Sequence, residues 1–168
     1  MAFINIKINT DEYFRRFTKD FQNMILKSLN KNAMTRIGGI LAEDIKRRTR
    51  LGFGVKKANQ ERTKLKKLSD KYVKFRKDNK GKLLNLTTPK RSNLTFSGQL
   101  LDSLTAQSDN PGKVTLRFLG VHKNLDGSTM NNGLLANFVS KARPFLGPTN
   151  REIQRLKTNI KNQILKSL

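Results

Sequence analysis

The side chains able to serve as acids, bases, nucleophiles or metal ligands are few in this chain and poorly grouped. His122 is the only histidine and cysteine is absent, which excludes a thiol nucleophile, a disulfide framework and a cysteine-based metal site. A metal on His122 would need carboxylates beside it, and only Asp126 lies near in sequence; a solvent-exposed histidine at a hairpin end is the simpler reading. Glu43 and Asp44 are adjacent, and neighbours on a helix point about 100° apart, so they do not converge for acid–base work and belong on a solvated surface. Glu61 and Lys64 have the acid–lysine character of metal-dependent nucleases but lack a second acid on a neighbouring strand. Gly38-Gly39 and Gly52-Phe53-Gly54 lack the strand–turn–helix context of a phosphate-cradling loop. No catalytic residue, cofactor or metal ligand is assigned, and the chain reads as a non-enzyme.

Charge is the dominant chemical signal. The 168 residues carry 35 Lys and Arg against 12 Asp and Glu, a net charge of +23. Such a field attracts polyanions: nucleic acid, an anionic membrane surface or an acidic protein. The cations concentrate in residues 46–96, where Arg47, Arg48, Arg50, Lys56, Lys57, Lys64, Lys66, Lys67 and Arg76 are the candidate contacts to DNA or to a partner. No hydrophobic period long enough for a core runs through residues 51–83, so this stretch reads as an extended basic arm that becomes ordered on assembly. Tyr72 and Phe75 lie within it. They suit either stacking on single-stranded bases or anchoring in a neighbouring subunit, and their spacing with Leu65 and Leu68 favours the anchor.

The elements that must position these residues read as one α+β domain spanning residues 1–168. Residues 3–8 alternate as a short strand. Thr10 has the character of an N-cap, and Phe14, Phe17, Phe21, Met24 or Ile25, and Leu29 form a helical stripe. Met34, Ile37, Leu41 and Ile45 form a second, and the Asn30-Lys31-Asn32 break leaves open whether one bent helix or a helix pair results. Gly38-Gly39 marks close packing against a neighbour. Within the basic insert, residues 65–75 suit a short amphipathic helix with Ser69 as cap. Ser97 opens a short helix through Leu100, Leu101 and Leu104. Residues 104–108 and 113–119 form a hairpin around Asp109-Asn110-Pro111-Gly112, the base of an antiparallel sheet. A polar loop then leads to a short apolar helix over residues 134–139. Thr149 with Glu152 is a capping box opening a C-terminal helix that packs on the sheet through Ile153, Leu156, Ile160, Ile164 and Leu168.

Three stretches in this order resemble the head-to-tail joining proteins of tailed bacteriophages, the tail-completion or neck proteins. Leu94-Thr95-Phe96-Ser97-Gly98-Gln99-Leu100 with Ser103 resembles their L-T-x-[ST]-G-x-L-x-x-S step. Residues 65–76 (LKKLSDKYVKFR) resemble its lead-in. Ala142-Arg143-Pro144-Phe145-Leu146-Gly147, followed by Thr149 and an amphipathic helix, resembles the closing signature. The resemblance covers most of residues 65–168 and implies a structural virion protein: a homo-oligomeric ring between portal or adaptor and tail terminator or tail tube. Packaged DNA is a further candidate partner. A non-enzymatic nucleic-acid-binding protein using the arm on phosphates is the alternative. The basic insert departs from the family in its charge. Without the resemblance, Pro144 sets Arg143 extended, Phe145 and Leu146 plug the core, and Gly147-Pro148 lead into the Thr149 cap. No leader of signal-peptide type and no membrane-length apolar run is recognised, consistent with assembly in a host cytoplasm and a place in the virion neck.

Overall fold

A computed structural model describes residues 3–6, 19–79, 98–124 and 126–167. The fold is α+β. In chain order the elements are β1 (Phe3–Ile6), α1 (Lys19–Ser28), α2 (Lys31–Arg50), β2 (Phe53–Lys56), β3 (Glu61–Lys64), α3 (Asp70–Asp78), α4 (Gln99–Asp102), β4 (Leu104–Gln107), β5 (Val114–Phe118), β6 (Val121–Lys123), β7 (Thr129–Asn131), α5 (Asn132–Ala142) and α6 (Asn150–Leu165). The strands make one three-stranded antiparallel sheet in the order β1-β5-β4 and two hairpins, β2-β3 and β6-β7.

Helix α2 is the spine. The Asn30-Lys31-Asn32 break resolves into two helices, because Asn30 leaves helical geometry and its side chain accepts from the Ala33 N–H at 3.0 Å, capping α2. Ala33, Met34, Ile37, Leu41, Ala42 and Ile45 are buried along one side of α2, which packs on β4, β5, β2 and α6. The contact with the sheet is backbone-close at Gly38: a Cβ there would overlap Val114 Cγ2 and lie 2.9 Å from Ala106 Cβ. Gly39 faces open space, so only the first glycine of the pair marks close packing.

The sheet follows the sequence pattern. Leu104 pairs with Phe118 and Gln107 with Thr115, and Ser108 Oγ closes the turn, its one proton within reach of the Asn110 and Lys113 carbonyls at 2.9 and 2.7 Å. Gly112 takes a positive φ of 70°, and its N–H reaches the Leu29 carbonyl at 3.0 Å, tying the turn to the end of α1. Ile25, Leu29, Met34, Ile37, Leu41, Ile45, Leu101, Leu104, Val114, Leu116, Phe145 and Leu156 belong to one continuous core. Phe145 meets Phe118 edge-on, centroids 6.1 Å apart. On α6 the Thr149–Glu152 capping box forms in both directions, Leu156 is buried, and Ile160 and Ile164 pack partly against the core.

Three expectations are revised. The basic stretch beginning at residue 46 is not an extended arm over its described part: residues 46–50 complete α2, and the chain then folds into the β2-β3 hairpin and α3. Its strands are only four residues long, too short to show a hydrophobic period, yet Val55 and Leu65 are buried. The polar loop after Lys123 supplies the turn and the second strand of the β6-β7 hairpin, closed by the Asn124 N–H on the Ser128 carbonyl at 2.9 Å. The short helix after Ser97 is entered through Gly98 at φ 79°, while Ser97 itself, like Thr10, Phe14, Phe17 and Leu168, lies outside the residues whose side chains are described.

Candidate functional site

The residues singled out for partner contact separate into an internal anchor and an external surface. Arg48 belongs to the anchor. It sits in the last turn of α2 with its side chain only 5% exposed, pairs with Glu152, and donates to the Phe145 carbonyl at 2.6 Å and the Gly147 carbonyl at 3.0 Å. Glu152 accepts at the same time from the Thr149 N–H at 2.7 Å. One guanidinium therefore joins α2, the Arg143–Gly147 segment and the N-terminus of α6. Burial pulls the Arg48 pKa below the ordinary arginine value, Glu152 opposes that, and nearby Arg62 adds to it. Arg48 is a strut, not the outward contact expected of it.

The same segment holds the β2-β3 hairpin. The Val55 N–H donates to the Pro144 carbonyl at 2.9 Å, and β2 approaches so closely that a Cβ on Gly54 would overlap the Pro144 carbonyl oxygen. At the hairpin tip, the Asn150 N–H reaches the Gln60 carbonyl and the Asn150 side chain the Asn59 carbonyl, both at 3.0 Å. Gly147 adopts φ 104°, which an L side chain resists. Phe145 is fully buried, Leu100 is buried in the core, and Leu146 and Pro144 are half-buried. The closing segment, with Arg143 half-buried at its start, thus works as a structural clasp.

With Val55 and Leu65 turned inward, the cations of this region face water. Lys56, Lys57, Lys64, Lys66 and Lys67 are exposed on the hairpin and the chain that follows, and Arg62 lies over the Phe53 ring at 3.6 Å. On α3, Ser69 caps through the Tyr72 N–H, and Tyr72 and Phe75 are exposed and stacked, centroids 5.9 Å apart. Arg76, expected among the outward contacts, is instead buried, 2% exposed. Arg47 and Arg50 remain at the surface but are paired, Arg47 with Asp44 at 3.0 Å and Arg50 with Asp102.

Asp44 does not lie on a solvated surface. It is buried where α2 meets α6, accepting from Arg155 at 2.7 and 3.0 Å as well as from Arg47. Glu43 stays exposed, bound to Lys46 at 2.7 Å. His122 is half-buried in β6 with Nδ1 shielded from water and lacking a hydrogen-bond partner, and burial pushes its pKa below the ordinary imidazole value. Among the described residues, no three of His, Asp or Glu gather as metal ligands. None of these helices is long and apolar enough to cross a membrane.

A second surface escaped the sequence reading. Val121, Met130, Leu134 and Phe138 are exposed on α5 and the adjoining β6-β7 hairpin, with Leu119 exposed in the link between β5 and β6. The available signal was that α5 is apolar on both sides, with Leu135 and Val139 packed inward and Leu134 and Phe138 left outside. No family profile, characterised protein or solved structure matches this chain.

Proposed function

We propose that this protein is a non-enzymatic structural subunit of a tailed-phage neck, forming a homo-oligomeric ring between portal or adaptor and tail. The observation that carries the reading is the division of its surface. A cationic region on β2-β3 and the chain into α3 suits a polyanion or an acidic connector, whereas α5 with β6-β7 exposes apolar side chains and carries only Lys123, Asp126 and Lys141. A ring subunit around a DNA passage needs both kinds of face, and repetition of one contact around an axis closes the ring. The clasp at Phe145–Gly147, from the stretch resembling the closing signature of neck proteins, fixes the basic hairpin to the core and gives its cations defined positions.

The second reading, a nucleic-acid-binding protein, is favoured by the same exposed lysines, because phosphate contact needs only cations at a surface. Electron microscopy of the purified protein, with light scattering on the same sample with and without duplex DNA, separates the two. Closed rings of uniform mass support the neck subunit. Monomers that coat DNA, with affinity collapsing as salt rises, would replace it with the second reading.

A further inference from the structure

Helix α5 is apolar on two sides, with Leu135 and Val139 packed against the core and two large exposed residues on the side facing away. Its buried positions are Asn132, Gly133, Ala136 and Ser140, while Leu134 and Phe138 are 55% and 75% exposed. These two stand one turn apart on the same face. A helix apolar all round belongs in an interior, and an uncovered apolar face of this kind marks an interaction surface. The strands against which α5 packs extend it, with Val121 of β6 and Met130 of β7 exposed.

The charge distribution identifies what covers this face. The β6-β7 hairpin and α5, residues 121–142, carry two lysines, Lys123 and Lys141, and one acid, Asp126, within a chain of net charge +23. Lys141 Nζ lies 5.9 Å from the centre of the Phe138 ring. Residues 46–79, by contrast, hold fourteen Lys and Arg against three acids. A polyanion or an acidic protein gains most of its attraction there and little on this sparsely charged face. A second copy carries the same excess positive charge, and it meets least repulsion where charge is sparsest.

We infer that the face formed by Leu134 and Phe138, with Val121 and Met130 beside them, is the docking surface for a second copy of this chain. The inference rests on the oligomeric reading above and deepens it by naming the contact. It carries a salt signature opposite to that of phosphate binding. Added salt screens repulsion between like-charged copies and leaves an apolar contact intact, so self-association strengthens as salt rises.

Sedimentation velocity on the wild type, Phe138→Ser, Leu134→Gln and the exposed-site control Leu51→Ser, at low and high salt, tests this. The wild type should associate, more so at high salt, and the first two variants should each weaken association by about tenfold or more. Leu51→Ser should behave as wild type, and all four should share one circular dichroism spectrum. A wild type that is monomeric throughout, or variants that keep the wild-type mass, would overturn the inference. Electron microscopy on the same samples keeps the two readings apart. Rings that persist in Phe138→Ser sink this surface and spare the neck reading; wild-type association that yields no ring, yet is lost in Phe138→Ser, does the reverse.

Discussion

Arg48 shows how a residue chosen for its charge can belong to the core. Its guanidinium is surrounded by Glu152 and the carbonyls of Phe145 and Gly147, so removing the countercharge leaves a buried cation uncompensated. Glu152→Gln keeps a side chain able to complete the capping box but should cost about 3–5 kcal/mol, measured by urea unfolding. Arg48→Met added to that variant should recover part of the loss, and a double variant less stable than the single one would refute the account. His122 makes a pH prediction of opposite character. Its folded pKa lies below the unfolded value, so the unfolded chain takes up a proton first as pH falls. Stability from this group is complete above the unfolded pKa of about 6.5 and declines from there down through the lower folded value. The wild-type melting temperature should therefore fall more steeply through that window than that of His122→Gln; parallel curves would show that the imidazole titrates freely.

At the scale of elements, the α2–sheet contact depends on one missing side chain. Gly38 lets the helix backbone lie on Val114 and Ala106, whereas Gly39 faces open space. Gly38→Ala should destabilise by about 1–3 kcal/mol through overpacking. Gly39→Ala should stabilise by about 0.5–1 kcal/mol, because alanine is the better helix former. Chemical denaturation of the two variants decides the matter, and equal effects would mean that α2 does not seat as described. The β2-β3 hairpin illustrates the complementary case, an element with little apolar surface held by backbone bonds to Pro144 and from Asn150 and by Val55 and Leu65 underneath.

For the whole molecule, the excess charge sets how it meets partners. If Lys56, Lys57, Lys64 and Lys67 each neutralise a phosphate, replacing all four by glutamine should reduce the slope of log affinity against log salt by about 3–4 on duplex DNA. Fluorescence anisotropy over a salt series measures it, and an unchanged slope would take the hairpin out of any DNA contact. These residues are exposed, so the fold should survive the change.

The sequence by itself determined what depends on neighbours along the chain. The Thr149–Glu152 box, the Asn110-Pro111-Gly112 turn, the Ser69 cap and the apolar stripes of α1, α2 and α6 are local signals, each set by a few adjacent residues. The burial of Phe145 was legible too, from its place between a proline-fixed bend and a helix cap. Only the tertiary structure decided which charges are structural. Arg48 and Glu152 stand 104 residues apart, and Asp44 and Arg155 stand 111 apart, so no local pattern separates them from the cations that face water. It also decided that residues 46–79 of the basic stretch fold: a four-residue strand has too few positions to show a period, and the hairpin is held by Pro144 and the core beneath it. The exposed face of α5 followed from the same cause, since an apolar residue looks alike in sequence whether or not another element arrives to cover it.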